Sequence, residues 1–323
     1  MRKYTAAMAC CAMLAVSASP LCAQSYPTRP IRMLVPSTPG GSVDTLARLV
    51  GGKLAERWSQ QVVVDNRPGA GGTIAADVTA KAPPDGYTLI MGTVAAIATN
   101  VSLYSKLPYH PLKDLAPVTL VAQQQLVLLV HPGVAARSVK ELIVLAKARP
   151  GELSFASAGN GSGGHLSGEL FKILARIDLQ HVPYKGVSPA IIDVISGQVT
   201  MTFASIISGM PPLKSGRLRG LAVTGAKRSP ALADLPTMQE AGVPAYQSST
   251  WYGVLAPART PRDIIVKLQG EIARSVHSPE IAERLVAEGA EPAGSTPEEF
   301  RAFIAAEIEK WGKVIRAAGI KPG

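Results

Sequence analysis

Ile31-Arg32-Met33-Leu34-Val35-Pro36-Ser37-Thr38-Pro39-Gly40-Gly41-Ser42-Val43-Asp44 runs from an apolar stretch through a glycine-rich loop into a helix start. The apolar run has the length of a buried strand, and Leu46, Leu49, Val50 and Leu54 then recur at helical spacing, giving one buried face. Glycines between strand and helix let main-chain N–H groups come close to a ligand, and the helix N-terminus behind them favours negative charge. Asp44 either caps that helix or accepts a bond from a ligand donor.

The same succession recurs along the chain. Further strands are expected at Val62–Asp65, Thr88–Gly92, Leu126–Val130, Leu153–Ala156, Leu179–Val182, Val199–Ala204 and Leu221–Thr224, with helices between them. This alternation predicts an α/β protein with mainly parallel sheets. Ser138 with Glu141, Thr237 with Glu240 and Thr296 with Glu299 have capping-box spacing and mark helix starts. Residues from Thr260 to Ala318 are expected to form three helices, broken near Ser278 and across Gly289 to Ser295.

Several other loops after expected strands offer amides and hydroxyls where open α/β sheets bind ligands. Ala158-Gly159-Asn160-Gly161-Ser162-Gly163-Gly164-His165 precedes a helix carrying Leu166, Leu170 and Leu174, and it contains a G-x-G-x-x-G match. A dinucleotide site would want an acid closing the next strand, but that strand ends Val182-Pro183-Tyr184-Lys185 and the nearest acid, Asp178, precedes it. The loop is therefore read as anion-binding. His165 at its end is a cap, a ligand donor or a surface residue. Thr93, Tyr184 and Ser205 sit after other strands and are candidate ligand contacts. Asn66 to Gly72 is a glycine-rich turn that either contacts ligand or connects strand to helix. Trp251 and Tyr252 are expected to be buried.

Composition closes off other classes. Arg2 and Lys3 precede an apolar run from Thr5 to Val16 that is too short to span a bilayer, so residues 1–23 read as a signal peptide cleaved before Gln24. All three cysteines, Cys10, Cys11 and Cys22, fall within it, leaving the exported chain without disulfides or thiolate metal ligands. The formal charge of +10 is scattered, no Lys/Arg run exceeds two and aromatics are 5%, which disfavours a nucleic-acid stripe. His110, His131, His165, His181 and His277 have no metal-site spacing, and no G-x-S-x-G elbow occurs. No catalytic residue, metal or cofactor is expected, and the chain is not read as an enzyme.

The 323 residues suit two domains. The extended stretch Pro117 to Val130, interrupted by Gln123-Gln124-Gln125, is expected to carry the chain from one lobe to the other, and Ser249 to Leu255 to bring it back. Lobe 1 is then 24–122 plus 250–323 and lobe 2 is 123–249, with a small-molecule cleft between them.

Tyr26-Pro27-Thr28-Arg29-Pro30-Ile31, Pro39-Gly40-Gly41 with Asp44, Asn66 to Gly72, Pro84-Asp85-Gly86-Tyr87-Thr88-Leu89, His181-Val182-Pro183-Tyr184-Lys185-Gly186 and Leu221-Ala222-Val223-Thr224 resemble, in order and over nearly the whole exported chain, the periplasmic receptors of tripartite tricarboxylate transporters, the Bug receptor family. The resemblance implies a two-lobed periplasmic binding protein of type II, or Venus-flytrap, form. It implies a monomeric periplasmic receptor that closes on a small carboxylate, such as a di- or tricarboxylate, an acidic amino acid or an aromatic acid, and delivers it to membrane permease subunits. By the same resemblance the contacts fall on Gly40, Gly41 and Asp44, on Thr93, on Ala158, Gly159, Asn160, Gly161 and Ser162, and on Ser205. Relatives commonly carry Phe where this chain has Ser37, so a bulkier or a more polar ligand is expected. A sensor presenting its ligand to a signalling receptor would share this site, and a secreted hydrolase is the reading from another class.

Overall fold

The computed structural model describes residues 26–287 and 289–320; the expected signal peptide, 1–23, lies outside the described residues. The opening stretch forms strand β1 (Ile31–Val35) and helix α1 (Ser42–Trp58), whose Leu46, Val50 and Leu54 are buried. They are followed by β2 (Val62–Asn66), α2 (Thr73–Ala80) and β3 (Thr88–Thr93). A π-helical turn over Ala95–Thr99 leads into the short α3 (Asn100–Leu103). Next come β4 (Leu115–Val130), α4 (Val139–Ala148), β5 (Ser154–Ser157), α5 (Gly163–Ala175), β6 (Gln180–Pro183) and α6 (Val187–Ile195). The chain continues through β7 (Met201–Ser205), α7 (Ile206–Lys214), β8 (Arg219–Val223) and β9 (Ser249–Pro257). It ends in α8 (Arg262–Val276), α9 (Pro279–Ala287), β10 (Ala290–Pro292) and α10 (Pro297–Ala318).

The strands form a mixed sheet in the order β2-β1-β3-β9-β4-β7-β5-β6, with β10 and β8 also pairing β4. Parallel ladders join β1 to β2 and β3, and β5 to β6 and β7. The pairings made by β4 and β9 are antiparallel. β4 is one unbroken strand: Leu115 to Gln125 lie along β9, and Leu126 to Val130 turn to β7 and β8. The polar run Gln123-Gln124-Gln125 does not break it, because extended backbone is held by ladder bonds on both edges: Gln124 lies between Thr250 and Ala290.

Four apolar clusters fill the layers between sheet and helices. Two draw on residues 26–122 and 251–320, apart from Leu166 of α5 and Ile207 of α7; the other two draw on 126–246. The segment between α9 and α10, expected as a plain break, carries β10 on the edge of β4. The helix expected after Thr237 does not form. Thr237 N donates to Glu240 Oε2 and Glu240 N to Thr237 Oγ1, but the chain makes only a turn, because Gly242 takes φ +100° and Pro244 follows. The Thr296–Glu299 box does open α10.

Glu307 of α10 is buried, and its Oε2 accepts from the indoles of Trp251 at 2.9 Å and Trp311 at 2.7 Å, while Lys310 lies 3.2 Å from Oε1. This ties α10 to the returning strand β9. Glu307→Ala leaves two buried indole donors unpaired and is expected to destabilise the protein by about 3 kcal/mol in urea denaturation.

Candidate functional site

The carboxyl ends of β1, β3, β5 and β7 open on one cavity of about 100 Å³. The β1 loop contributes Ser37, Gly41 and Ser42, and β3 delivers Thr93, Val94 and Ala95. The β5 loop contributes Ala158, Ser162, Gly163 and Gly164, and β7 contributes Phe203 and Ser205. Leu126 of β4, with Thr250 and Tyr252 of β9, completes the wall from the long strands. Thr250 and Tyr252 share a face because side chains alternate along a strand.

Helices α1, α5 and α7 all start at this cavity, with Gly41, Ser162 and Ser205 in the capping position. Their first N–H groups lack intrahelical partners, and each N-terminus carries roughly half a positive charge. Among the described residues no Asp, Glu, Lys, Arg or His side chain lines the cavity. The positive potential therefore comes from fixed backbone dipoles, an arrangement suited to a carboxylate.

The two sides of the cavity touch. Ser42 Oγ shares a hydrogen bond with Ser205 Oγ and another, 2.8 Å long, with Ser208 Oγ. Thr38 N donates to Lys185 O at 3.4 Å, Thr99 Oγ1 to Gly161 O at 2.9 Å, and Ser188 Oγ to Pro39 O at 3.4 Å. Burial pushes the Tyr252 phenol up to about 12, against the bonds it makes with the Ser42, Thr250 and Ser205 hydroxyls.

The structure brings Ser37, Gly41, Thr93, Ala158, Ser162 and Ser205 together at the cavity. Gly40, Asp44, Gly159, Asn160, Gly161, His165 and Tyr184 stand outside its lining. Gly40 is exposed and its N–H donates to Asp44 Oδ2 at 2.9 Å. Asp44 also accepts from Asn66 Nδ2 at 3.0 Å and pairs with Arg48 at 3.0 Å. Burial alone would raise this carboxyl, but the bonds from Arg48, Gly40 and Asn66 outweigh it and hold the group below its ordinary range. Asp44 is thus a brace beneath the β1 loop. The Asn66 turn divides likewise: Asn66 braces Asp44 and the Ser37 carbonyl, whereas Gly71 reaches the cavity. The Tyr184 phenol donates to Asp193 Oδ2 at 2.6 Å, and burial first, then this bond and the charge of Asp193, raises it to about 12. Gly161 faces Thr99 and Leu103 across the seam between the two sides, and Asn160 O faces Gly71.

His165 and His181 stack beneath the β5 loop, ring centroids 3.8 Å apart and planes within 7°, with Phe155 stacked on both. Gly161 N donates to His165 Nδ1 at 3.0 Å, and His181 Nε2 lies 2.6 Å from Ser157 Oγ. Burial first, then the neighbouring His181 and Lys172, lowers His165 to about 3; burial and Lys172 lower His181 to about 4. Both imidazoles are neutral at pH 7, and they hold the loop from below. Sequence reasoning missed this partnership because Phe155, His165 and His181 sit on three different elements.

Among the described residues no helix is long and apolar enough to cross a membrane. Nor does any group of three or more His, Cys, Asp or Glu there have the arrangement of a metal site.

Residues 46–320 match the family model described as tripartite tricarboxylate transporter family receptor. The chain is 41% identical over 305 residues to Protein BugT of Bordetella pertussis, covering 94% of each chain. It is similar to a solved R. palustris protein with adipate, at 42% identity and TM-score 0.90 over 92% of this chain and 100% of that one. It is also similar to MatC from Rhodopseudomonas palustris with bound malate, at 32% identity and TM-score 0.85 over 90% and 100%. The periplasmic binding protein BugD superposes with TM-score 0.87 at 32% identity over 92% and 99%. A cavity walled by helix N-termini on a fold shared with these binding proteins has a plain conclusion: the chain belongs to the tripartite tricarboxylate transporter receptor family, the Bug receptors.

Proposed function

We propose that this protein is a periplasmic receptor that reversibly captures a small carboxylate and presents it to the membrane permease of a tripartite tricarboxylate-type transporter. It works as a monomer, without a cofactor and without chemistry on its ligand. Residues 24–122 with 250–323 form one lobe and 123–249 the other; β4 and β9 are the hinge strands. Cleavage after Ala23 releases the exported chain.

One observation carries this reading: helix N-termini from both proposed lobes converge on a cavity that no charged side chain among the described residues lines, sealed by hydrogen bonds across it. A carboxylate accepting amide and hydroxyl bonds there touches both lobes at once, so it favours the closed form by its differential affinity. Bonds to a charged acceptor contribute about 1.5–3 kcal/mol each, enough for useful affinity without an arginine. Ser37, Gly41, Thr93, Ala158, Ser162 and Ser205 are the proposed contacts from the loops, with Ser42, Thr250 and Tyr252 added.

Thermal denaturation with carboxylates, adipate and malate first because structural relatives hold them, tests the proposal. At about 100 times Kd a ligand stabilises the folded state by about 2.7 kcal/mol, which raises Tm by several degrees. No shift with any carboxylate, or turnover of the bound compound, would sink it.

A further inference from the structure

We infer that Thr38 sets the receptor's affinity without touching the ligand: closing the seam buries its hydroxyl with no partner, a cost that ligand binding has to overcome. The inference rests on the two-sided carboxylate receptor proposed above and names a group that opposes its closure.

Among the described residues, the buried side-chain oxygens and nitrogens without a hydrogen-bond partner are Thr38 Oγ1, Asp77 Oδ1, Asn100 Oδ1, Gln124 Oε1 and Nε2, Gln125 Oε1 and Glu271 Oε2. Asp77 and Glu271 have cations in place of hydrogen bonds, Lys81 at 2.7 Å and Arg57 at 3.4 Å. The others all lie where the two sides meet. Gln124 and Gln125 stand on β4 just before it turns from β9 to β7 and β8. Asn100 Oδ1 lies beside Gly71, whose neighbour from the opposite side is Asn160 O, an acceptor like itself. The Asn100 Nδ2 is already committed to Gly71 O and Thr73 Oγ1. Folded proteins pair nearly all their buried polar groups, so a collection of unpaired ones along a single seam marks a surface that is in water part of the time.

Thr38 belongs to the loop after β1 and stands outside the cavity lining. Its N–H donates to Lys185 O across the seam, and the adjacent Ser37 hydroxyl is turned to its carbonyl at 3.2 Å. Its own Oγ1 meets Gly186 instead. A Cβ built at Gly186 would fall on that oxygen, so what faces the hydroxyl is a Cα hydrogen, a weak donor, with no room for a water between them. Opening the seam withdraws Gly186 and returns the hydroxyl to water. The hydrogen bonds across the seam gain little on closing, because each replaces bonds to water, whereas an unpaired hydroxyl loses its hydration outright. The empty protein is thereby held toward the open form, and apparent affinity falls by the same factor.

Thr38→Val keeps the branched shape, suits the extended backbone before Pro39 and removes only the hydroxyl. Adipate, malate, succinate and glutarate are titrated calorimetrically into the purified exported chain at pH 7, and variants are compared on the acid that binds most tightly. Thr38→Val is expected to bind it about tenfold more tightly than the unaltered protein. Weaker binding, which a hydroxyl in contact with the ligand would give, or a change below about threefold overturns the inference and leaves the receptor reading in place. Thr38→Ser retains the hydroxyl and is expected to stay within about threefold of the unaltered protein. Equal tightening in both variants assigns the effect to side-chain bulk and also overturns the inference. Urea denaturation of the empty protein gives a separate check, because the hydroxyl is then in water and Thr38→Val is expected to leave the midpoint unchanged. A raised midpoint with unchanged affinity shows a hydroxyl buried whether or not the sides meet, which is fatal to the inference alone. Absence of binding by all four acids defeats the carboxylate reading itself, and the inference with it.

Discussion

Gly161→Ala is expected to weaken carboxylate binding by about 100-fold while the protein still folds. A Cβ built at Gly161 stands 2.5 Å from both Leu103 Cδ1 and Thr99 Oγ1, well inside contact distance. Both neighbours lie across the seam, so the clash exists only when the two sides are together. Leu103 Cδ1 is the end of a side chain and can give way. Thr99 is fully buried and donates to the Gly161 carbonyl, so it has nowhere to move without losing that bond. Overpacking of this kind costs about 1–3 kcal/mol, and the upper end corresponds to about 100-fold in affinity. The left-handed backbone, φ +73°, adds about 1 kcal/mol of strain, but open and closed forms bear it alike, so it lowers stability and leaves closure unaffected. Gly159→Ala separates the two effects. Gly159 also has positive φ, +120°, yet its nearest neighbour is Tyr184 O at 3.0 Å on the same side of the seam. Calorimetry is expected to show near-native affinity for Gly159→Ala with reduced stability in urea. Binding by Gly161→Ala within threefold of the unaltered protein would refute this account of closure.

The glycines therefore divide between two tasks that sequence spacing does not distinguish. Gly41, Gly163 and Gly164 face the cavity, as a strand-loop-helix pattern leads one to expect. Gly161 and Gly186 instead let the two sides meet: a Cβ at Gly186 would lie on Thr38 Oγ1. Both kinds follow a strand and precede a helix, and only the approach of a distant segment tells them apart.

Local pattern made most elements legible. β1 and α1 followed from an apolar run and a helical stripe, and the Thr296–Glu299 box marked the start of α10. β10 was not legible, because Ala290-Glu291-Pro292 has no strand character of its own and is extended only through pairing with Gln124, Gln123 and Ala122. The loop residues at the cavity were readable for the same local reason as the fold. Leu126, Phe203, Thr250 and Tyr252 were not assigned to it, since their role depends on how β4, β7 and β9 are laid side by side. Asp44 stayed ambiguous in sequence because a carboxylate near a ligand loop is equally good as a brace, and the bonds from Arg48 and Asn66 become visible only in the fold.

Stability is expected to fall as pH drops from about 6.5 toward 4, on account of the stacked histidines. Both imidazoles are neutral in the folded protein and ordinary in the unfolded chain, where their pKa is about 6.5. Below that value the unfolded chain gains protons that the folded protein refuses until about pH 4 at His181 and about pH 3 at His165. The stabilisation is thus complete above pH 6.5 and is lost progressively on acidification, by on the order of 3 kcal/mol per ring at pH 4. Protonation has a structural consequence as well. His165 Nδ1 accepts the Gly161 N–H, and a proton on that nitrogen ends the bond. Glu169, 3.8 Å from His165 Nε2, favours the charged ring, but Lys172 pairs with the same carboxylate and offsets it. Urea denaturation at pH 7 and pH 4.5 measures the effect. His181→Phe keeps an aromatic ring in the stack and removes one titrating group. It is expected to lose about 1–2 kcal/mol at pH 7, through the missing Ser157 bond, and to show a shallower decline with acid. An undiminished acid slope in that variant would show that His181 is not the source. Because the Gly161 bond fixes the backbone immediately before the Ser162 cap, carboxylate affinity is expected to decline over the same acid range in which the rings take up protons.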